Sequence, residues 1–205
     1  MSLDAWIIFA TFWLVFVTTP GPNAANCISN GMTYGFVRSL WGVLAILTQA
    51  SVFLVLSALG VTALIATSPT AFSVLQYVGA AVLVGLGIRG WVMARTPPKA
   101  QVAGRGSLYG RALVIATINP KSVAGYLAAF SQFVDPVVPI GQQMTVIMPT
   151  ALTLTALSYC GYTALGALLG RAAMAAIVNL WVRRALAVCL MIYGLLLGSA
   201  NLARV

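Results

Sequence analysis

Two short stretches carry the polar chemistry of this sequence. Thr18-Thr19-Pro20-Gly21-Pro22-Asn23 interrupts the first long apolar run, with Asn26 following, and Asn119-Pro120-Lys121 interrupts the fourth. A proline lacks a backbone N–H and its ring clashes with the carbonyl four residues back. Pro20, Pro22 and Pro120 therefore each free a carbonyl that must find another partner. Irregular backbone at membrane depth persists only where it is buried in protein or lines a watery cavity. The N–H groups of a half-helix opening near Pro22-Asn23 suit a carboxylate, and freed carbonyls suit an ammonium. Those are the two ends of an amino acid. The plain alternative is a proline kink that holds no ligand.

Lys121 adds a charge to the second stretch. A lysine near the membrane interior costs about 2.5–3.5 kcal/mol on insertion scales and by default marks a pathway or a pairing. Both acids, Asp4 and Asp135, fall on the opposite side of the chain's charge pattern. That leaves freed carbonyls, Asn119, water or a substrate carboxylate as partners, or else a side chain that snorkels to the interface. Gln49, Gln132, Tyr126 and Tyr159 either face the same cavity or bond across helices. Gly31 and Gly35, spaced as GxxxG, and Gly79, Gly85, Gly87 and Gly90 read as sites of close helix packing. Trp6, Trp13, Trp41, Trp91 and Trp181 fall mostly where an interfacial aromatic belt is expected.

The elements that must position these residues follow from composition. The chain has 205 residues, 61% hydrophobic and 6% charged, against roughly 25% charged in a soluble domain. A water-soluble globular fold is excluded. Apolar segments lie at about 5–28, 40–66, 71–93, 112–133, 144–168 and 183–202, each close to the ~20 residues that cross a bilayer. They are too long and continuous for strands. Thr67-Ser68-Pro69-Thr70, the stretch from Thr96-Pro97-Pro98-Lys99 to Gly106, and Asp135-Pro136 with Pro139 and Gly141 read as connections. The expected fold is an all-α integral membrane protein, one domain over 1–205. Its six transmembrane helices form two inverted three-helix repeats, about 1–93 and 112–205, joined by a basic linker at about 94–111. Helices 1 and 4 are broken at their proline motifs. Because those spans run in opposite directions, both breaks fall about 12 Å or less from the cytoplasmic edge and can meet.

Charge fixes the orientation. Arg38, Arg89, Arg95, Lys99, Arg105, Arg111, Arg171, Arg183 and Arg184 gather on one side, with only Arg204 and the two acids on the other. The positive-inside rule puts the linker in the cytoplasm and both termini outside it. The formal charge of +9 is thus topological, since nucleic-acid binders cluster their basic residues on a solvated face. Ala5–Val17 has no basic n-region and is expected to remain as a first membrane helix rather than a cleaved signal. Cys27, Cys160 and Cys189 lie far apart, and with no His in the chain they form no metal site and read as packing residues. No cofactor is expected. Without His, a buried carboxylate or a nucleophile beside a base, enzyme chemistry lacks its parts.

Taken together these residues resemble the LysE/RhtB amino-acid exporters. The likeness rests on Thr19-Pro20-Gly21-Pro22-Asn23 followed by Gly31, Gly35 and Gly42, on Gly79-Ala80-Ala81 to Gly85-Leu86-Gly87, and on Asn119-Pro120-Lys121 leading to Gln132-Phe133-Val134. It covers essentially the whole chain. It departs at Gly125-Tyr126 and at Ser131, where the family commonly carries aromatics and a proline. The resemblance implies a secondary carrier of the bacterial inner membrane, a homodimer, that exports amino acids or related small metabolites on the membrane's ion gradients. It places Pro20, Gly21, Pro22, Asn23, Asn119, Pro120 and Lys121 in the working site. Asn26, Gln49 and Tyr126 join them as further candidates for binding substrate. A membrane scaffold or assembly factor that transports nothing is the alternative.

The charge asymmetry generates a direct test. In a cysteine-free background, single cysteines at Thr67 and Asp135 are expected to react with an impermeant maleimide on intact cells, and one at Gln101 is not. Labelling at 101 from outside would invert the topology.

Overall fold

The computed structural model describes residues 1–96, 107–177 and 179–202. The expected linker falls largely on residues 97–106, which lie outside the described residues, as does Arg204. Among the described residues the chain is helical throughout, without strands: α1 (Leu3–Thr18), α2 (Pro22–Thr67), α3 (Pro69–Val92), α4 (Leu108–Ile118), α5 (Pro120–Phe133), α6 (Ile140–Leu169), α7 (Arg171–Ile177) and α8 (Leu180–Leu202). Helices α2, α3, α6 and α8 are long and apolar enough to cross a membrane. The apolar helices α1 and α4 are shorter because the chain is interrupted at both proline motifs. Helix α1 stops before Pro20 and α2 opens at Pro22, while a single residue, Asn119, separates α4 from α5.

The connection expected between the first two segments is reduced to a single residue, Gly35, with helix on either side of it. Within α2 only Gly35 departs from helical geometry, at φ 73° and ψ 174°, a region essentially reserved for glycine. The chain folds back there. A Cβ placed on Gly42 would stand 3.3 Å from Asn30 Nδ2, whereas twelve residues of straight helix would span about 18 Å. The arms 22–34 and 36–67 thus lie side by side, and Cys27 shares an apolar cluster with Val43 and Ile46. Gly35 is a hinge rather than the packing site its GxxxG spacing suggested. Gly31 does pack as expected, since a Cβ there would lie 2.3 Å from the Thr163 carbonyl oxygen of α6. Gly79, Gly87 and Gly90 meet α5 or α8 in the same way, but Gly85 faces open space.

The aromatic face of helix α1 forms the centre of the core. Phe9, Phe12, Trp13 and Phe16 are all buried, in one cluster with Leu54 of α2, Leu83 of α3, Tyr126 and Phe130 of α5, Ile147 of α6 and Leu190 of α8. Trp13 is therefore a core residue, 1% exposed, and its indole donates to Thr155 Oγ1 at 3.1 Å. Trp41 and Trp181 are exposed, as a belt requires. Around this centre α2 packs chiefly on α6 and α4, and α3 on α8 and α5. Many hydroxyls bond back to the carbonyl four residues earlier, among them Thr48, Thr62, Thr117 and Thr163, which satisfies them without water. Helix α4 opens at Leu108 behind a Ser107 cap, four residues ahead of the expected span. The second break therefore stands about 16 Å along its span rather than about 12 Å.

Two glycines give contrasting expectations. Gly35→Ala forces a side chain into a glycine-only conformation, expected to cost about 1–3 kcal/mol. Gly85→Ala meets nothing and is expected to be neutral. Melting of the two purified variants in detergent checks this: equal melting temperatures would contradict a hinge at Gly35.

Candidate functional site

Where α1 ends, its last carbonyls lose their helical partners, and the chain replaces them one by one. Thr18 and Thr19 turn their hydroxyls back to Leu14 O and Val15 O, both at 2.6 Å. The Thr19 N–H reaches Val15 O at 3.0 Å. The Tyr162 hydroxyl of α6 donates to Thr18 O. The Lys121 ammonium donates to Thr19 O at 2.7 Å and to Phe16 O. Its Nζ also lies 4.9 Å from the centre of the Phe16 ring, a cation–π contact. A cation at a helix C-terminus meets the negative end of the helix dipole as well.

The two breaks differ at their N-terminal sides. Helix α5 is capped: Asn119 Oδ1 accepts from the Lys121 N–H at 3.1 Å, an arrangement that also aims the lysine back across the break. Helix α2 is not. Its N-cap is Gly21, which has no side chain to offer, and Pro22 brings no N–H to the first turn. A Cβ on Gly21 would stand 3.9 Å from Lys121 Cδ, so the lysine stem crosses directly over this bare helix start. A positive helix end and an ammonium thus converge on one place, which is where a carboxylate is best held. The acids are elsewhere, Asp4 in the first turn of α1 and Asp135 bonded to Val137 N beyond α5.

Beyond the lysine the wall is polar and incompletely paired. Asn23, 3% exposed, leaves its Oδ1 without a partner among the described residues, and Gln49, 2% exposed, leaves both amide atoms so. The fold of α2 brings them level: Asn23 and Gln49 each lie seven residues, about two turns, from the Asn30–Gly42 contact. The Tyr159 hydroxyl stands beside the Asn23 amide. Buried amides left unpaired are uncommon and costly, and here they lie a turn or two from the break.

The motif residues Pro20, Gly21, Pro22, Asn23, Asn119, Pro120 and Lys121 therefore share one region, with Gln49 across from Asn23. Asn26 is buried on the same arm. Tyr126 is instead part of the aromatic core, edge-on to Trp13, Phe16 and Phe53, its hydroxyl beside Thr155. Gln132 bonds across to the Gln76 carbonyl of α3. Tyr162 was not anticipated, since one tyrosine in a long apolar helix carries no signal until the helix is placed, whereas the Phe16 carbonyl is the one that Pro20 frees.

The match to known proteins agrees with this geometry. Residues 14–201 match the family described as LysE type translocator. A Vibrio cholerae relative described as an uncharacterized membrane protein is 36% identical, covering 83% of this chain and 85% of its own. A homoserine/homoserine lactone efflux protein of Salmonella typhimurium is 28% identical over 80% of this chain and 82% of its own. A leucine efflux protein of Enterobacter is 28% identical over 78% and 77%. No solved structure matches the chain. With the family pattern running from within α1 to the end of α8, the chain belongs to the LysE type translocators, a multi-pass membrane transporter and not an enzyme.

Proposed function

We propose that this protein is a secondary active exporter of amino acids or related small metabolites, working by alternating access across the bacterial inner membrane. One observation carries the reading: two helix breaks meet at one depth, bringing an ammonium, a row of helix-terminal carbonyls and an uncapped helix start within a few ångströms. That set matches both ends of a zwitterion. The relatives named for homoserine and leucine efflux support the substrate class.

On this reading the chain is one domain that crosses the membrane six times, as two inverted repeats. The first crossing is α1 continued by residues 22–34, the fourth α4 continued by α5, and both termini lie on the non-cytoplasmic side. Each repeat opens with a broken helix. The third helices of the two repeats, α3 and α8, pack on one another, as a two-fold axis in the membrane plane requires. The binding residues are Pro20, Gly21, Pro22, Asn23, Asn26, Gln49, Asn119, Pro120 and Lys121, with Tyr126 shaping the wall through the Phe16 ring.

Counterflow of a radiolabelled amino-acid panel through proteoliposomes holding the purified protein tests the function. Flux of at least one amino acid supports it, and none at all would favour the scaffold. Pro22→Ala restores an N–H at the opening of α2 and removes the constraint that starts the helix there. By letting the chain run on toward regular helix through the break, it is expected to lower flux about tenfold or more, as misplacement of binding groups does, while membrane abundance falls less. Near-normal flux from a well-expressed Pro22→Ala protein would reduce the motif to a kink.

A further inference from the structure

We infer that Lys121 is a tethered stand-in for the substrate's amino group: its ammonium fills the cation site on the α1 carbonyls when the carrier is empty and is displaced by the amino acid that binds. The inference rests on the exporter reading and adds to it how the site demands a zwitterion.

The geometry is that of an occupied cation site. Phe16 O and Thr19 O hold an ammonium, beneath the Phe16 ring and at the negative end of α1. That occupant is part of the chain, on α5, and no acid faces it. The same carbonyls are where the broken end of α1 presents acceptors to a cation. Asn23 Oδ1 and both amide atoms of Gln49, buried and without partners among the described residues, add polar groups nearby that the chain does not satisfy.

An incoming ammonium can use those carbonyls only if Lys121 leaves them. Having left, Lys121 is a buried ammonium that needs a new acceptor, since stranding it unpaired is costly. A carboxylate on the same ligand, held over the bare start of α2 beside the Lys121 stem, provides it. The exchange balances only for a ligand that carries both groups. A free amine evicts the lysine and gives it nothing. A free carboxylate can pair with the lysine but leaves Phe16 O and Thr19 O open. Selection for the zwitterion thus comes from the chain's own competing cation, without a carboxylate in the site to recognise the amino group.

Removing the competitor should invert the preference between an amino acid and its decarboxylated amine. Binding of leucine and 3-methylbutylamine, and of homoserine and 3-amino-1-propanol, is measured on purified wild type, Lys121→Met and Lys121→Gln by scintillation proximity. Wild type is expected to bind an amino acid and to reject its amine. Lys121→Met is expected to lose about tenfold to a hundredfold in affinity for the amino acid, and to gain by a similar factor for the amine, as expected for one charge-assisted hydrogen bond lost or made available. Lys121→Gln keeps a donor to the carbonyls and is expected to gain less for the amine, and it serves in place of Lys121→Met if that variant does not run as a single species on size exclusion. Loss of amino-acid binding in both variants with no gain for the amine overturns the stand-in role and leaves the exporter reading intact. A wild type that binds neither leucine nor homoserine and moves no amino acid of the counterflow panel removes both.

Discussion

The structure turns on a backbone problem at the end of α1. A helix that stops inside a bundle leaves its final carbonyls without donors, and in a membrane protein water cannot be relied on to supply them. Four groups answer: the Thr18 and Thr19 hydroxyls, the Tyr162 hydroxyl and the Lys121 ammonium. Two of these come from α1 itself and two from distant helices, so the break cannot form without α5 and α6 in place. Its position in turn requires the arms of α2 to fold at Gly35, so that residues 22–34 can run down beside α6 through the Gly31 and Gly166 contacts. Break, hinge and helix contacts form one set of mutually dependent features.

The same dependence separates what must be rigid from what is free to change. The face of α1 formed by Phe9, Phe12, Trp13 and Phe16 interlocks with aromatic side chains of α5 and α8, including Phe133 and Tyr193. A close-packed aromatic core of this kind resists gradual deformation. By contrast, Lys121 holds the break through a flexible four-carbon stem, and the bonds it makes are to carbonyls that any cation can use. A movement that opens the site can therefore exchange partners at the break without repacking the core around Trp13.

Much of this was legible in the residues. The composition excluded a soluble fold, and the prolines located both interruptions, Pro20–Asn23 and Asn119–Lys121, which the Lys121 bonds to Phe16 O and Thr19 O bring together. What was not legible had physical reasons. Gly35 read as a packing glycine because GxxxG spacing says nothing about φ, and only the fold-back of α2 shows that its value is a backbone conformation. Trp13 read as a belt residue because its place in the sequence does not reveal that it lies on the buried face of α1, with Phe9, Phe12 and Phe16. Tyr126 read as a cavity residue because a tyrosine's polar tip does not reveal whether its ring is already enclosed, as it is by Trp13, Phe16 and Phe53. The Phe16 carbonyl was marked by Pro20 four residues on, but which side chain would reach it, and that the same side chain would also take Thr19 O, needed the helices in place.

One consequence bears on how such a carrier could be driven. The sequence has no His, and its two acids are Asp4 and Asp135, at the start of α1 and in the turn after α5. A membrane-embedded carboxylate or imidazole that binds and releases a driving proton is the usual device of proton-coupled carriers, and neither stands beside the break. A zwitterion carries no net charge, so its passage alone draws no work from the membrane potential, which acts only on net charge moved. If Lys121 stays protonated throughout, the empty and loaded sites carry the same charge and the potential favours neither. A driven cycle then requires either that the lysine changes its charge between the two faces or that the substrate crosses in a charged form. Coupling thus rests on the charge of Lys121 or on that of the substrate, and in the first case the group that satisfies the broken helix also carries the work of transport.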